Sequence, residues 1–229
     1  DSKVLVKNLS VCGCFTCVTA KAVFWRNQHP VYKSCLPNHK TVGRNGYKMM
    51  KHKYLINFLG MQALWFAAVI GATAGVVWPA VVVLVVFMLW QLLPAQRVRG
   101  DVALILVALL LGFILDSTWI GMGWIKFASP GPLPWIAPVW ILLLWMGLAL
   151  TFNHSLAWLQ NKLLLAGAFS AIASPLSYLG AQRLGAVQIT GNCYLCLFFI
   201  AISWAIAVPL LLCLAKALRG DLNKLTREG

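Results

Sequence analysis

The stretch VALILVALLLGFILDSTWIGMGW, residues 102–124, decides the class of fold. A helix rises about 1.5 Å per residue, so roughly 20 apolar residues cross the roughly 30 Å hydrocarbon core of a bilayer. Further apolar runs of similar length precede and follow it, separated by segments rich in glycine, proline or polar residues. The sequence therefore predicts an all-α, polytopic membrane bundle of about six transmembrane helices. The predicted spans are residues 54–72, 76–93, 102–124, 135–152, 163–182 and 193–218.

The composition agrees with a chain that has lipid as its solvent. Hydrophobic residues make up 61% of it and charged residues only 10%, whereas a soluble domain is about half apolar and about a quarter charged. The 19 Lys and Arg residues outnumber five acids, which gives a formal charge of +14. These bases lie outside the apolar runs and not in a stripe interleaved with aromatic residues, which disfavours nucleic acid as a partner and favours the lipid bilayer.

The basic residues also predict the orientation of the bundle. With the N-terminus inside, the outer loops hold only Lys126 and Arg183, and the inner flanks hold most of the other bases. Because cytoplasmic flanks collect Lys and Arg, both termini are expected in the cytoplasm. The bases on the predicted inner flanks are Lys51, Lys53, Arg97, Arg99, Lys162, Lys216, Arg219, Lys224 and Arg227.

Residues 1–48 differ from the rest of the chain because they are polar and basic and lack helical periodicity. Met49-Met50-Lys51 resembles a translation start, so 1–48 is interpreted as a disordered or artefactual extension. Residues 49–219 then form the transmembrane domain and 220–229 a short basic cytoplasmic tail. A zinc site on the four cysteines of the extension is the rival reading, but their spacing is not that of a paired zinc knuckle, and no metal or cofactor is predicted. Those cysteines are Cys12, Cys14, Cys17 and Cys35.

Asp116 is the one acid inside a predicted span, where an unpaired carboxylate is costly. Counting the helical rise places Tyr178 of the fifth span at the same depth, with Arg183 nearer the outer surface. Ser174 lies one turn before Tyr178, beside a kink expected at Pro175. We predict an intramembrane cluster of Asp116, Tyr178, Arg183 and Ser174, which is either a structural lock between helices or a proton- or ligand-binding site.

A second polar cluster is predicted at the inner edge of the bundle. Asn57 in the first span, Gln91 at the end of the second, and Asn153 and His154 after the fourth fall at one depth. Their side chains can form a hydrogen-bonded knot. Histidine also moves protons near neutral pH, so a structural role and a protonation role both remain open.

Cys193 and Cys196 form a C-x-x-C pair at the predicted outer end of the last span. Residues three apart share a helical face, and the start of a helix favours the reactive thiolate, so a redox pair is one reading. A quinone-linked thiol oxidase needs a second cysteine pair, and the other predicted outer loops have no cysteine. The other interpretation is that both cysteines act as small apolar residues within the span.

Several stretches together resemble the bacterial inner-membrane family known as domain of unknown function 2878. The resemblance covers about Asn57 to Ala186 and implies a multi-pass protein of the bacterial inner, cytoplasmic membrane. It supplies no activity. The stretches that carry it are NFLGMQ at 57–62 with WF at 65–66, LDS at 115–117, FNHSLAWL at 152–159, SPLSY at 174–178 and RLGA at 183–186.

The sequence contains no H-E-x-x-H motif, nucleophile elbow or glycine-rich phosphate loop. No catalytic residue is therefore assigned, and an enzymatic role is disfavoured without being excluded. The patterns favour a small-solute transporter or a membrane accessory to lipid metabolism, built around the Asp116 cluster. The alternatives are a membrane-embedded enzyme with thiol redox chemistry at Cys193 and Cys196, and a structural assembly partner whose protein partners the sequence does not identify.

Overall fold

The computed structural model describes the backbone of residues 39–131 and 133–228, and the side chains of 52–131 and 133–220. The cysteine group of the N-terminal segment lies outside these described residues. Residues from Met50 onward form one unit, within which the apolar runs become helices. The helices are α1 (His39–Thr73), α2 (Trp78–Leu92), α3 (Asp101–Gly121), α4 (Val139–Phe152), α5 (Leu163–Arg183) and α6 (Cys193–Glu228). A 3-10 helix, Ala157–Asn161, joins α4 to α5.

This architecture confirms the predicted all-α membrane bundle, and it refines the count of full spans. Helices α1, α3, α5 and α6 are long and apolar enough to cross a membrane. Helices α2 and α4 are apolar but have only 15 and 14 residues. At about 1.5 Å per residue they extend little more than 20 Å, less than the hydrocarbon thickness.

The short helix α4 has a local cause in its prolines. The sequence predicts a span from residue 135, whereas the helix begins at Val139, directly after Pro138. A proline disfavours helical backbone in the residue before it, so the segment between Pro134 and Pro138 stays outside the helix. The predicted start at residue 135 is therefore wrong by one helical turn.

The surface of the bundle is apolar and several of its buried residues are polar. Leu164 is 93% exposed, and Leu89 and Ile172 are each about two thirds exposed. Asn57 and Asp116, by contrast, are each 1% exposed. Large apolar side chains are exposed along the four long helices. This surface indicates that hydrocarbon surrounds the bundle, because soluble monomers rarely show such continuous apolar surface.

Small residues bring neighbouring helices together. Gly112 of α3 lies so close to the Trp145 ring of α4 that a methyl group there would overlap the ring. On α5, a methyl group at Gly167 would lie 3.1 Å from the backbone oxygen of Ala205 in α6. Such contacts allow close helix packing in membranes, where packing replaces the hydrophobic effect between helices.

Two short strands, which the sequence does not predict, join the ends of α3 and α5. Strand β1 (Ile125–Phe127) pairs antiparallel with β2 (Val187–Ile189), and Lys126 lies opposite Gln188. Three-residue strands are too short to show an alternating pattern. The pairing links the segment that follows α3, which carries Asp116, to the segment that follows α5, which carries Tyr178.

Candidate functional site

Asp116 lies at the centre of a buried polar cluster between three helices. The Tyr178 hydroxyl of α5 donates to Oδ1 of Asp116 at 2.5 Å. The Trp145 indole Nε1 of α4 donates to Oδ2 at 2.8 Å. Each carboxyl oxygen therefore accepts one hydrogen bond and keeps further acceptor capacity.

Trp145 completes the cluster and was not predicted from the sequence. Its ring occupies the space above Gly112, one helical turn before Asp116 on the same face of α3. It also stacks on Trp204 of α6 with ring centroids 4.6 Å apart. A tryptophan within an apolar run looks like any other apolar residue. The one-turn spacing of Gly112 and Asp116 is the signal that could have indicated a large partner at this face of α3.

The structure joins Asp116 to Tyr178, places Ser174 in the wall of the same cavity, and leaves Arg183 outside. Arg183 is exposed in the last turn of α5, and the hydrogen bonds to Asp116 come from Tyr178 and Trp145 instead. Ser174 is buried one turn before Tyr178. Its Oγ has no hydrogen-bond partner among the described residues.

A cavity of about 490 Å³ extends from this cluster between α1, α4, α5 and α6. Its wall is mostly aliphatic and aromatic, and it contains no Lys, Arg or His among the described residues. Trp140 also lines it, and the Trp140 Nε1 is buried without an acceptor in the described part of the chain. The polar side chains in the wall are Gln62, Asp116, Thr151, Ser155, Ser170, Ser174, Ser177 and Tyr178.

One side of the cavity reaches the apolar surface between α1 and α5. Phe66 of α1 and Phe169 and Leu176 of α5 line the cavity, and all three are more than half exposed. Nearby, the Trp65 Nε1 of α1 donates to the Ser177 Oγ of α5 at 2.9 Å. The cavity wall is therefore continuous with the exposed apolar face of the bundle between α1 and α5. The Trp65–Ser177 hydrogen bond links these two helices there.

The predicted inner cluster forms one hydrogen-bonded network. The Asn57 Nδ2 donates to Gln91 Oε1 at 2.6 Å, and Gln91 Nε2 lies 3.1 Å from Nδ1 and 3.0 Å from Nε2 of His154. The Ser155 Oγ donates to Asn57 Oδ1 at 2.6 Å. These bonds tie α1, α2 and the end of α4 together.

Asp101, which immediately precedes the predicted third span of residues 102–124, joins this network. It is the first residue of α3 and is 1% exposed. Its Oδ2 pairs with the His154 Nε2 at 3.2 Å and accepts the backbone N–H of Val98 at 2.9 Å. Its Oδ1 accepts from the Asn153 Nδ2 at 2.8 Å.

A second arm of the network reaches α6. The Gln160 Nε2 donates to Asn153 Oδ1 and to the backbone oxygen of Phe152, both at 3.0 Å. Arg219 of α6 donates to Gln160 Oε1 at 3.0 Å. All four predicted inner residues therefore belong to one network. It also contains Ser155, a neighbour of His154 in the chain, and three members that sequence reasoning missed, which are Asp101, Gln160 and Arg219.

Cys193 and Cys196 lie in the first turn of α6, where Asn192 Oδ1 accepts the backbone N–H groups of Tyr194 and Leu195. Cys193 is half-buried and Cys196 is buried, and both are free thiols. Among the residues with described side chains, no group of three or more His, Cys, Asp or Glu could hold a metal ion.

A family model described as protein of unknown function (DUF2878) matches residues 54–210, which include the Asp116 cluster and every named member of the inner network except Arg219. The chain belongs to this family. The match confirms the resemblance seen in the sequence. No curated protein and no solved structure matches the chain. The family description names no activity, so function has to be argued from the cavity and the two clusters.

Proposed function

We propose that this family member is a multi-pass protein of the bacterial inner membrane that binds an uncharged, polar-headed lipid, in support of lipid metabolism. The observation that carries the proposal is the cavity of about 490 Å³. Its wall is mostly apolar, and the Asp116 carboxyl group forms part of that wall. Small-molecule sites commonly have volumes of about 300–1,000 Å³ and a few fixed polar groups within an apolar wall. The orientation with both termini in the cytoplasm is part of this proposal.

The charge of the lining selects the head group. Among the described residues the wall offers a carboxyl group and no basic side chain. A fatty-acid carboxylate or a phosphate would then meet Asp116 without a cation to balance it, which is unfavourable in a low-dielectric site. An uncharged head with a hydroxyl or amide donor instead meets the remaining acceptor capacity of Asp116.

Three cavity-lining residues with buried donors that lack acceptors add a second requirement. The Ser174 Oγ, the Trp140 Nε1 and the Trp204 Nε1 have no hydrogen-bond partner in the described part of the chain. An unsatisfied buried donor costs about 1–3 kcal/mol, so a ligand oxygen that accepts from one of these groups recovers stability. A head group with both a donor and an acceptor, such as an alcohol or an amide, meets both requirements.

The open side of the cavity accounts for the lipid tail. Phe66, Phe169 and Leu176 continue the cavity wall to the exposed apolar face between α1 and α5. A hydrocarbon chain can leave by this route into the bilayer without crossing polar surface. A water-soluble ligand would gain nothing from such an opening.

Lipid that copurifies with the protein tests the proposal. Wild type extracted in mild detergent should carry a neutral polar lipid enriched over the host membrane, as measured by mass spectrometry. Ser174→Phe should fill the cavity and abolish the enrichment, and Ser174→Ala should weaken it. Ser203→Ala is the matched control, because among the described residues the Ser203 hydroxyl bonds only to the backbone oxygen of Phe199 in its own helix. Equal enrichment in all four proteins would refute the proposal.

A second candidate is transport of a small polar solute, and one observation favours it. Ser155 belongs to the cavity wall and also to the inner network, so polar groups extend from the cavity toward the predicted cytoplasmic end. A transporter should let water reach the cavity, so a cysteine placed at Ser177 would react with a water-soluble thiol reagent. Full protection of that cysteine in membranes would count against transport.

A further inference from the structure

We propose that the predicted cytoplasmic end of the bundle carries a binding site for the head group of an anionic phospholipid. The site is a basic cluster, defined as Lys162 before α5 together with Lys216 and Arg219 of α6, and it includes Trp158 of the 3-10 helix. None of these four residues lines the cavity, so the site is separate from it. The inference does not rest on the proposed function, which concerns a different, uncharged lipid.

The 3-10 helix brings two ammonium groups to one of its sides. Residues three apart eclipse each other in a 3-10 helix, so Trp158 and Asn161 stand on the same edge of it. The Lys162 Nζ lies over the Trp158 ring, 5.9 Å from the ring centroid. The Lys216 Nζ of α6 donates to Asn161 Oδ1 at 3.0 Å. Both ammonium groups therefore lie beside this edge.

Arg219 extends the basic cluster along α6. It follows Lys216 by three residues, so both side chains leave the same face of the helix. The Arg219 Nη2 donates to Gln160 Oε1 at 3.0 Å, and Gln160 directly precedes Asn161 in the chain. Each of these hydrogen bonds uses one N–H group, whereas guanidinium and ammonium groups have several. The hydrogen bonds to the 3-10 helix therefore position two cations and leave further donors for a phosphate.

No carboxylate balances the basic cluster in the part of the chain whose side chains are described. The ion pair found there joins Asp101 to His154. Asp101 is buried, and the amides of Asn153 and Gln160 stand between it and Arg219. The tail that follows contains two acids and two bases, so it does not change the net charge of this end. A phosphate is therefore favoured here, because it relieves the repulsion between neighbouring cations.

The surroundings of the basic cluster indicate a lipid as the partner, in preference to a soluble anion or a nucleic acid. Leu163, Leu164 and Leu165 follow Lys162 directly, and all three are exposed, Leu164 by 93%. Trp158 is exposed as well. Tryptophan and lysine both combine an apolar body with a polar end, which suits the boundary between hydrocarbon and water. The partner that fits has an anionic group joined to an apolar chain.

The excess of cations selects the head group. A zwitterionic phospholipid brings an ammonium group with its phosphate, which would add a positive charge to the basic cluster. A phospholipid such as phosphatidylglycerol brings the phosphate alone. The Arg219 guanidinium matches phosphate oxygens with its planar fork, and the lysines act as point charges. The cavity has the opposite character, with a carboxyl group and no base among its described lining residues, so an anionic phospholipid fits the basic cluster and not the cavity.

The test is native mass spectrometry of the full chain in mild detergent, titrated with phosphatidylglycerol or with phosphatidylethanolamine of the same acyl chains. The variants are Lys162→Gln, Lys216→Gln and the double variant, because glutamine removes the charge and keeps an N–H donor. Two matched controls each remove one exposed base from another place. Arg97→Gln lies at the same end of the bundle and Lys126→Gln at the opposite end. Equilibrium unfolding in mixed detergent micelles verifies that each variant is folded.

We expect wild type to bind phosphatidylglycerol more tightly than phosphatidylethanolamine. Each lysine variant should weaken phosphatidylglycerol binding about fivefold, the usual contribution of one base near anionic lipid, and the double variant at least about tenfold. The two control variants should bind like wild type. Equal binding of the two lipids would overturn the inference. An equal loss in Arg97→Gln would overturn it too, because a diffuse basic surface would then explain the binding.

Two further arms locate the bound lipid and identify its source. Inorganic phosphate at millimolar concentration should not displace phosphatidylglycerol, and displacement would show a site for free anions and overturn the lipid assignment. Ser174→Phe fills the cavity and should leave phosphatidylglycerol binding unchanged. Loss of binding in Ser174→Phe would place the phospholipid in the cavity and overturn the separate site.

Discussion

Replacing Gly112 by alanine should displace Trp145 from Asp116 and so tests how the polar cluster is built. The added methyl group would overlap the Trp145 ring. The ring also lies against Trp204, which limits its movement. A shift of about 1 Å would stretch the 2.8 Å bond from Trp145 Nε1 to Asp116 beyond hydrogen-bonding range.

The free energy of unfolding that Gly112→Ala should lose follows from these contacts. Overpacking costs about 1–3 kcal/mol, and losing a hydrogen bond to a charged group costs about 1.5–3 kcal/mol. Alanine in a helix returns about 1 kcal/mol relative to glycine. The free energy of unfolding should therefore fall by roughly 1.5–5 kcal/mol.

Gly121→Ala is the matched control for this prediction. Gly121 ends the same helix, and a methyl group there meets nothing within 4 Å. The assay is equilibrium unfolding of both variants in mixed detergent micelles, followed by tryptophan fluorescence. Gly121→Ala should be as stable as wild type or slightly more stable. Equal stability of the two alanine variants would refute the packing of Trp145 against α3.

Three further predictions concern other contacts of the bundle. Tyr178→Phe removes one donor to Asp116 and should lower the unfolding free energy by about 1–3 kcal/mol while reducing copurified lipid; unchanged values of both would contradict the cluster. Gln160→Leu should cost about 1–3 kcal/mol in the same unfolding assay, because it removes the donor to a buried backbone oxygen; a neutral effect would contradict the second arm of the network. Alkylation followed by mass spectrometry should find Cys193 and Cys196 as free thiols, and a disulfide between them would favour the redox interpretation.

Depth along a helix was predictable from the sequence. Apolar runs of known rise place Asp116 level with Tyr178, and the structure joins these two side chains directly. The same counting put Asn57, Gln91 and His154 at one level, and they form a continuous chain of hydrogen bonds. A polar group within hydrocarbon has few possible partners, so its level is a strong constraint.

Direction around a helix was less predictable. Arg183 follows Tyr178 by five residues, which rotates it by about 140° away from the face that carries Tyr178. The predicted depth of Arg183 in the membrane was therefore plausible, but its side chain could not point in the same direction as that of Tyr178. Asp101 was missed for a different reason, since a residue at a helix boundary can belong to the loop or to the core, and hydropathy does not distinguish the two.

Neither the short strands nor the role of Trp145 could be predicted from the sequence, and the reason is the same for both. Each depends on a contact between distant parts of the chain. The pairing of Ile125 with Ile189 leaves no local pattern within three-residue strands. The position of Trp145 depends on the space above Gly112, a residue in another helix.

The measurement that tests the central claim most directly is an experimental map of the protein in a lipid nanodisc, at a resolution that shows bound lipid. The account predicts density in the cavity, with a polar end within hydrogen-bonding distance of Asp116 and Ser174 and a tail that leaves between α1 and α5. A cavity closed by side chains, or one that holds only water while lipid covers the space between α1 and α5, would contradict it.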